Sequence, residues 1–329
     1  MRALLLTESY LPWLGGVEKH ISGILPRLEK AGVTVEIISR KTLLKQKNQI
    51  KYLTLLQIWW QLAKKIKSIA AAEVILVHDV FIYYWPFALL FPHKKIITTF
   101  HGYEKVFPIP RKNIFYKQLA QKFSACTISI GSYINKYYQL SDKNNFISYG
   151  AVELNSDAKK STQKTKNSFL FLGRLEKDTG LTIFLEFLEI LKTKKVDFSA
   201  TFCGDGELRK ICSTYGETLG FVNPQSHLRR SENCFAGGYL SILEAMAARN
   251  FVLSAYNNPL KKDYLLNSPF GSRIASAGNG VELYQAWQKL RARPQLLSEN
   301  LQLAKEHNFQ KLADLYLQCI QTNTTQKQK

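Results

Sequence analysis

Short apolar runs alternate with amphipathic stretches along this chain. In the first half, residues 3–7, 33–39, 74–78, 96–100 and 125–129 are almost continuously apolar. Such runs predict parallel strands covered on both faces rather than half-solvated ones. Between the first two, Val17, Ile21, Ile24 and Leu28 recur at the spacing of one helix face. Gly23 and Pro26 fall inside that stretch, so a kink or an early end is expected there. Strand, helix and strand in succession predict βαβ winding around a parallel sheet.

The polar stretch 155–167, NSDAKKSTQKTKN, then interrupts the alternation. Its composition suits a linker between domains. Beyond it the pattern restarts: 168–172 reads as strand, 182–191 as helix, 198–202 as strand, 240–248 as helix and 251–254 as strand. The expected fold class is α/β, with two Rossmann-like domains facing a cleft. The expected boundaries are an N-terminal domain over 1–152, a linker over 153–167 and a C-terminal domain over 168–300. A helix over 301–320 is expected to pack back toward the first domain, followed by a frayed tail over 321–329.

Composition narrows the class. Hydrophobic residues make up 46% of the 329, enough for real cores, so a disordered chain is excluded. The five cysteines, Cys126, Cys203, Cys212, Cys234 and Cys319, include no CxxC pair. This argues against a disulfide framework or a structural zinc site and fits a reducing compartment. The longest apolar run, 80–92, is too short to span a bilayer and contains Pro86. A cytoplasmic protein, peripheral on the inner face of the membrane, is the expectation. Lys and Arg number 45 against 25 Asp and Glu, a net charge of +20. Residues 1–150 carry 21 − 8 = +13 and residues 151–329 carry 24 − 17 = +7. A basic excess suits anionic partners, although a solvated Lys-rich surface explains it equally well.

Ligands of open α/β sheets bind beyond the carboxyl ends of the strands, which directs attention to five turns. Gly15-Gly16 precedes the first helix, whose amides could meet an anion; a plain βα turn is the alternative. His101 closes the run TTFH and could donate a hydrogen bond or move a proton, or be a satisfied structural histidine. Gly173-Arg174 follows the first strand of the second half, with Lys177 three residues on. That cation pair suits a diphosphate, or a surface salt bridge. Gly204-Asp205-Gly206 begins like a dinucleotide fingerprint, but Arg209 stands where the third glycine belongs. Gly237-Gly238 precedes a strong helix carrying Glu244, a carboxylate able to accept ribose hydroxyls or simply to face solvent.

Taken in order, GGVEKH, TFHG at 99–102, FLGRL at 171–175, CGDGELR at 203–209 and GGYLSILEAMAA at 237–248 resemble the GT-B glycosyltransferases of family 4, glycosyl transferases group 1. The resemblance covers nearly the whole chain. It implies retaining transfer of a sugar from a nucleotide-diphospho-sugar to an acceptor hydroxyl, with no cofactor and no metal. It implies an acceptor side at Gly15, Gly16 and His101, and donor contacts at Gly16, Arg174, Lys177, Gly204, Val222, Gly237, Gly238 and Glu244. His101, Arg174 and Glu244 are its implied catalytic residues. Two positions depart from the family pattern. Ala236 stands where the first of two glutamates is usual, and Thr179 where a phosphate lysine is usual; Gly238 and Tyr239 would then offer backbone contacts instead. These departures keep a second reading open, a catalytically impaired nucleotide-sugar-binding protein of the same fold. A sugar-nucleotide epimerase is a lesser alternative, and no nucleic-acid partner is expected.

Residues 103–123 interleave Lys105, Arg111, Lys112, Lys117 and Lys122 with Phe107, Ile109, Phe115, Tyr116 and Phe123. A basic, aromatic segment of this kind can rest on an anionic membrane surface. The stretch 52–69, with Trp59 and Trp60, is a second candidate. Core-packing helices with basic outer faces are the alternative for both. A glycan or lipid-linked acceptor in cell-envelope synthesis is the corresponding expectation.

Overall fold

The computed structural model describes residues 1–12, 15–44, 51–102, 106–154 and 163–322. Two compact units emerge, Met1–Ser148 together with the chain from Phe309 onward, and Tyr149–Asn308.

The first unit runs β1 (Arg2–Thr7), α1 (Gly16–Lys30), β2 (Thr34–Ser39), α2 (Arg40–Leu43), α3 (Lys51–Ala63), α4 (Ile66–Ala71), β3 (Val74–His78), α5 (Phe81–Leu90), β4 (Lys95–Phe100), α6 (Arg111–Phe123), β5 (Cys126–Ile130), α7 (Tyr133–Tyr138) and β6 (Asn145–Ser148). Its six strands pair in the order β2-β1-β3-β4-β5-β6, every pairing parallel. β3 and β5 are buried along their whole length, as continuous apolar runs require.

The second unit runs β7 (Thr165–Leu172), α8 (Leu181–Thr193), β8 (Ser199–Cys203), α9 (Arg209–Cys212), β9 (Glu217–Gly220), α10 (Gln225–Arg230), β10 (Ser231–Ala236), α11 (Tyr239–Ala247), β11 (Phe251–Ala255), α12 (Pro259–Leu266), β12 (Ala275–Ala277), α13 (Gly280–Arg291) and α14 (Leu296–Glu306). Its sheet order is β12-β11-β10-β7-β8-β9, again all parallel. Phe169, Phe171, Phe184, Phe187, Phe202, Phe235 and Trp287 fill its core. The Phe171 and Phe235 rings stack across adjacent strands, 5.4 Å between centroids. Each such side chain contributes about 1.5–3 kcal/mol by burial.

Several expectations need correction. Of the kink or early end expected at Gly23 and Pro26, the early end does not occur, since α1 continues to Lys30. Gly23 is there for packing, because a Cβ on it would lie 2.2 Å from the Phe309 ring of α15 (Phe309–Gln321). The stretch 301–320 is not one helix. It breaks at His307-Asn308, so α14 belongs to the second unit and α15 to the first. The linker over 153–167 is shorter than expected, since β7 already begins at Thr165; residues 155–162 lie outside the described residues. Of the expected frayed tail, Gln321 is still helical and 323–329 lie outside the described residues. One disulfide is present, joining Cys126 of β5 to Cys319 of α15 across 193 residues, while Cys203, Cys212 and Cys234 are buried thiols. No local spacing could announce a pair so far apart. Among the described residues no helix is long and apolar enough to cross a membrane.

Candidate active site

Each sheet has one place where strand order reverses, between β1 and β3 in the first unit and between β7 and β10 in the second. Crossovers leave such a switch point in opposite directions and open a crevice at the strand ends. The turns singled out by the sequence follow strands at these two switch points or immediately beside them, whereas Val222 lies beyond the edge strand β9.

In the first unit, Gly15 caps α1 in an extended conformation, φ −155°, with no side chain capping the first-turn amides. Neither Gly15 nor Gly16 is left-handed. What bars a side chain at Gly15 is the Glu18 carboxylate, 2.6 Å from a built Cβ, whereas Gly16 opens onto space. Glu18 already supplies negative charge to this helix terminus and accepts the Ser9 hydroxyl. The terminus therefore suits a hydroxyl-bearing ligand better than a phosphate.

His101 follows β4, half-buried. Its backbone N–H donates to both Asp79 carboxylate oxygens, at 3.1 and 3.2 Å. Asp79 adopts φ 59° immediately after β3 and pairs with Lys117 of α6 at 3.2 Å. The His101 Nε2 lies 2.8 Å from His78 Nδ1, and the His20 ring of α1 stands 4.7 Å from the His101 ring, centroid to centroid. Burial holds His20 near 3 and pushes His78 and His101 well below the usual imidazole range, with the neighbouring rings adding to it for the last two. All three are neutral at pH 7, so His101 can donate or accept a hydrogen bond but carries no charge. The sequence reading missed His20, His78, Asp79 and Tyr316. The first lies within the GGVEKH run and the second closes an apolar strand, and both went unremarked beside His101.

In the second unit, the turns after β7 and β8 interlock backbone to backbone. Gly173 has φ 147° and Gly204 φ 152°. A Cβ on Gly204 would lie 1.8 Å from the Gly173 carbonyl oxygen, and one on Gly206 2.6 Å from that of Leu175. The CGDG run is thus required by this close approach, whatever it binds. Arg174 is half-exposed and engaged by two carboxylates, Glu176 and Asp178, the latter at 2.7 Å. Lys177 is exposed in a 3₁₀ turn with Thr179. Val222 is exposed beyond β9.

Gly238 caps α11, but the amides expected to meet a ligand there are occupied. Gly238 N–H donates to Ser241 Oγ at 3.3 Å, and Tyr239 N–H to the Tyr264 hydroxyl at 2.7 Å. The substitute backbone contacts expected at these two residues are therefore already spent within the protein. Lys261 of α12 donates to the Gly237 carbonyl and lies over the Tyr264 ring. Burial lowers its amine to about 8, with Asp178 pulling the other way. Glu244 is half-buried on α11, and Ala236 is fully buried at the end of β10. Lys261 escaped the sequence reading because it stands 87 residues from Arg174, outside any motif.

No family model matches the chain, and no curated protein matches it significantly. Solved structures do. A glycosyltransferase from Rickettsia africae ESF-5 superposes with a TM-score of 0.69 at 15% identity, covering 98% of this chain and 99% of that one. WaaG, a glycosyltransferase involved in lipopolysaccharide biosynthesis, superposes at 0.66 with 14% identity, over 97% and 100%. A structure from Listeria monocytogenes assigned as a UDP-N-acetylglucosamine 2-epimerase reaches 0.64 at 13%, over 98% and 96%. With its two parallel six-stranded sheets, the chain has the GT-B fold of these glycosyltransferases.

Proposed function

We propose that this protein is a retaining glycosyltransferase that moves a sugar from a nucleotide-diphospho-sugar to an acceptor hydroxyl in cell-envelope glycan or glycolipid synthesis. In that reaction the bond between the anomeric carbon and the β-phosphate oxygen breaks. A bond to the acceptor oxygen forms, and the acceptor's proton leaves with the nucleoside diphosphate. The observation that carries the reading is the second unit's switch point, where the half-exposed Arg174 follows β7 and the Gly237-Gly238 turn follows the adjacent β10. Negative charge that grows on a departing diphosphate is stabilised by a fixed cation more in the transition state than in the ground state. The neutral His101 and the open space at Gly16 support an acceptor-side role for the first unit. No metal or other cofactor is part of this reading of the leaving group.

The decisive experiment assays nucleoside diphosphate release from a panel of nucleotide-sugars, with and without acceptor glycans, for wild type and Arg174→Ala. Transfer in the wild type and its loss in a folded Arg174→Ala are expected. Wild-type turnover in the variant would refute the assignment. A second reading, a nucleotide-sugar-binding protein without transfer, is favoured by the two carboxylates on Arg174 and by the apolar, buried Ala236. Binding without any release of diphosphate would select it.

We also propose that the first unit rests on an anionic membrane surface. Phe107, Phe115 and Tyr116 are exposed beside Arg111 and Lys112. On α3, Tyr52, Leu53, Leu56 and Trp60 are exposed while Ile58 and Leu62 are buried. Residues 103–105 lie outside the described residues. Co-sedimentation with anionic but not neutral liposomes at low salt is expected, and its absence would remove this part of the reading.

A further inference from the structure

We infer that His20, His78 and His101 form a binding site for a single divalent transition-metal ion in the first unit, a site for which the proposed sugar transfer has no need. The three rings come from three elements: α1, the last residue of β3 and the residue after β4. One nitrogen from each lies within 4.8 Å of the other two. Internal hydrogen bonding does not account for the cluster. The Nε2 of His78, whose residue is 1% exposed, is fully buried and has no hydrogen-bond partner among the described residues. Leaving such a nitrogen unpaired is unfavourable, and an ion that takes up a ring nitrogen of each histidine supplies the missing reason for gathering them.

The surroundings suit ligation. Imidazole binds a metal through a neutral ring nitrogen, and burial keeps all three rings neutral. His20 Nε2 contacts the Tyr316 hydroxyl at 2.9 Å, and that hydroxyl meets Thr99 Oγ1 at 2.6 Å. A ring nitrogen held this way directs the other one, the usual outer arrangement around a metal-bound histidine. The neighbouring charges, Asp79 and Lys117, are paired with each other. Nitrogens on a tetrahedral ion with bonds of about 2.0–2.1 Å stand roughly 3.3 Å apart. The ligand nitrogens, as much as 4.8 Å apart, must therefore draw together around the ion. Side-chain rotation accommodates this. A neutral all-nitrogen set favours zinc, copper, nickel or cobalt over magnesium or calcium.

Cobalt(II) serves as the probe. Untagged full-length protein, stripped with chelator, is titrated with cobalt chloride and followed by visible absorption and equilibrium dialysis. Saturation at one equivalent is expected, with displacement by zinc. Affinity should fall by at least roughly 100-fold in His78→Phe and His20→Phe and be unchanged in His227→Ala, which lies in the other unit. Far-UV circular dichroism checks each variant, and His101→Gln, at a half-buried ring, replaces any that does not fold. No bound cobalt in the wild type, undiminished binding in the folded histidine variants, or thiolate charge-transfer absorption would each overturn the site. None of these readouts depends on sugar transfer, so the inference and the proposed function fail separately.

Discussion

Asp79 holds the backbone N–H of His101 with both carboxylate oxygens while itself adopting a left-handed backbone conformation. The ends of β3 and β4 are tied together at this point. An L-residue other than Asn, Asp or Gly there costs about 1–2 kcal/mol, and losing an exposed amide hydrogen bond costs about 0.5–1.5 kcal/mol. Asp79→Ala is expected to lose roughly 1.5–3.5 kcal/mol in urea unfolding. Asp79→Asn keeps the conformation and an acceptor but leaves the buried Lys117 without its carboxylate, and should lose less. Equal losses in the two variants would mean that the carboxylate's charge, not its geometry, fixes this turn.

The sequence made eight of the twelve strands among the described residues legible because most of those are continuous apolar runs. Residues 74–78 were read with the bounds β3 has. β6, β9 and β12 were missed because they are short edge strands, NFIS, ETLG and ASA, with little apolar signal, and the central β10 was missed because it opens with three polar residues, Ser231, Glu232 and Asn233. Gly23 was misread because its reason is tertiary, the ring of Phe309 nearly 290 residues away. The break at His307-Asn308 carries neither Gly nor Pro. Arg174 was legible as a cation at a strand end, with a surface salt bridge weighed beside the diphosphate, but its partners Glu176 and Asp178, which stand beside it in the chain, were not identified. The histidine cluster was illegible because residues 20, 78 and 101 meet only when α1, β3 and β4 are side by side.

Two glycines should respond differently to alanine. At Gly23 the added methyl meets the flexible edge of one side chain, and helix propensity returns about 1 kcal/mol. Gly23→Ala should destabilise by about 1–3 kcal/mol, with Phe309→Leu recovering part of it. At Gly204 the methyl meets the Gly173 carbonyl at 1.8 Å in a left-handed conformation. No side chain can give way there. Gly204→Ala should cost more than 4 kcal/mol or prevent the second unit from folding, as read by limited proteolysis. A Gly204→Ala protein as stable as Gly23→Ala would show that these two turns do not interlock in solution.

Lys164 donates to the carbonyls of Leu228 and Ser231, at 3.2 and 2.7 Å. Burial lowers its amine to about 8, against the pull of Cys234 and Glu232. Between pH 8 and the ordinary lysine value the unfolded chain binds the extra proton, so this group's contribution to stability rises with pH across that window. Below pH 8 both states are protonated and the penalty is constant. Lys164→Met removes the titration, and subtracting its stability from that of the wild type cancels every group common to both. The difference, wild type minus variant, should grow by about 1–3 kcal/mol from pH 7.5 to pH 10. A difference that is flat with pH would mean that Lys164 titrates normally.

Arg174 is bound by Glu176 and Asp178, so an incoming diphosphate must compete for its guanidinium. All three side chains are more than a third exposed, and exposed pairs are worth about 0.2–1 kcal/mol. Asp178→Asn frees one face of the fork without moving it. If the proposed donor site is correct, nucleoside diphosphate should bind Asp178→Asn up to roughly fivefold more tightly than wild type. The gain should shrink as salt screens the competing pair. Arg174→Ala should bind weakly, and adding Asp178→Asn to it should restore nothing, because the acid acts only through the arginine. Isothermal titration of the four proteins with uridine and guanosine diphosphates measures this directly. A gain that persists without Arg174 would mean that Asp178 repels the anion on its own and that the phosphate lies against another cation, such as Lys261, which also feels Asp178.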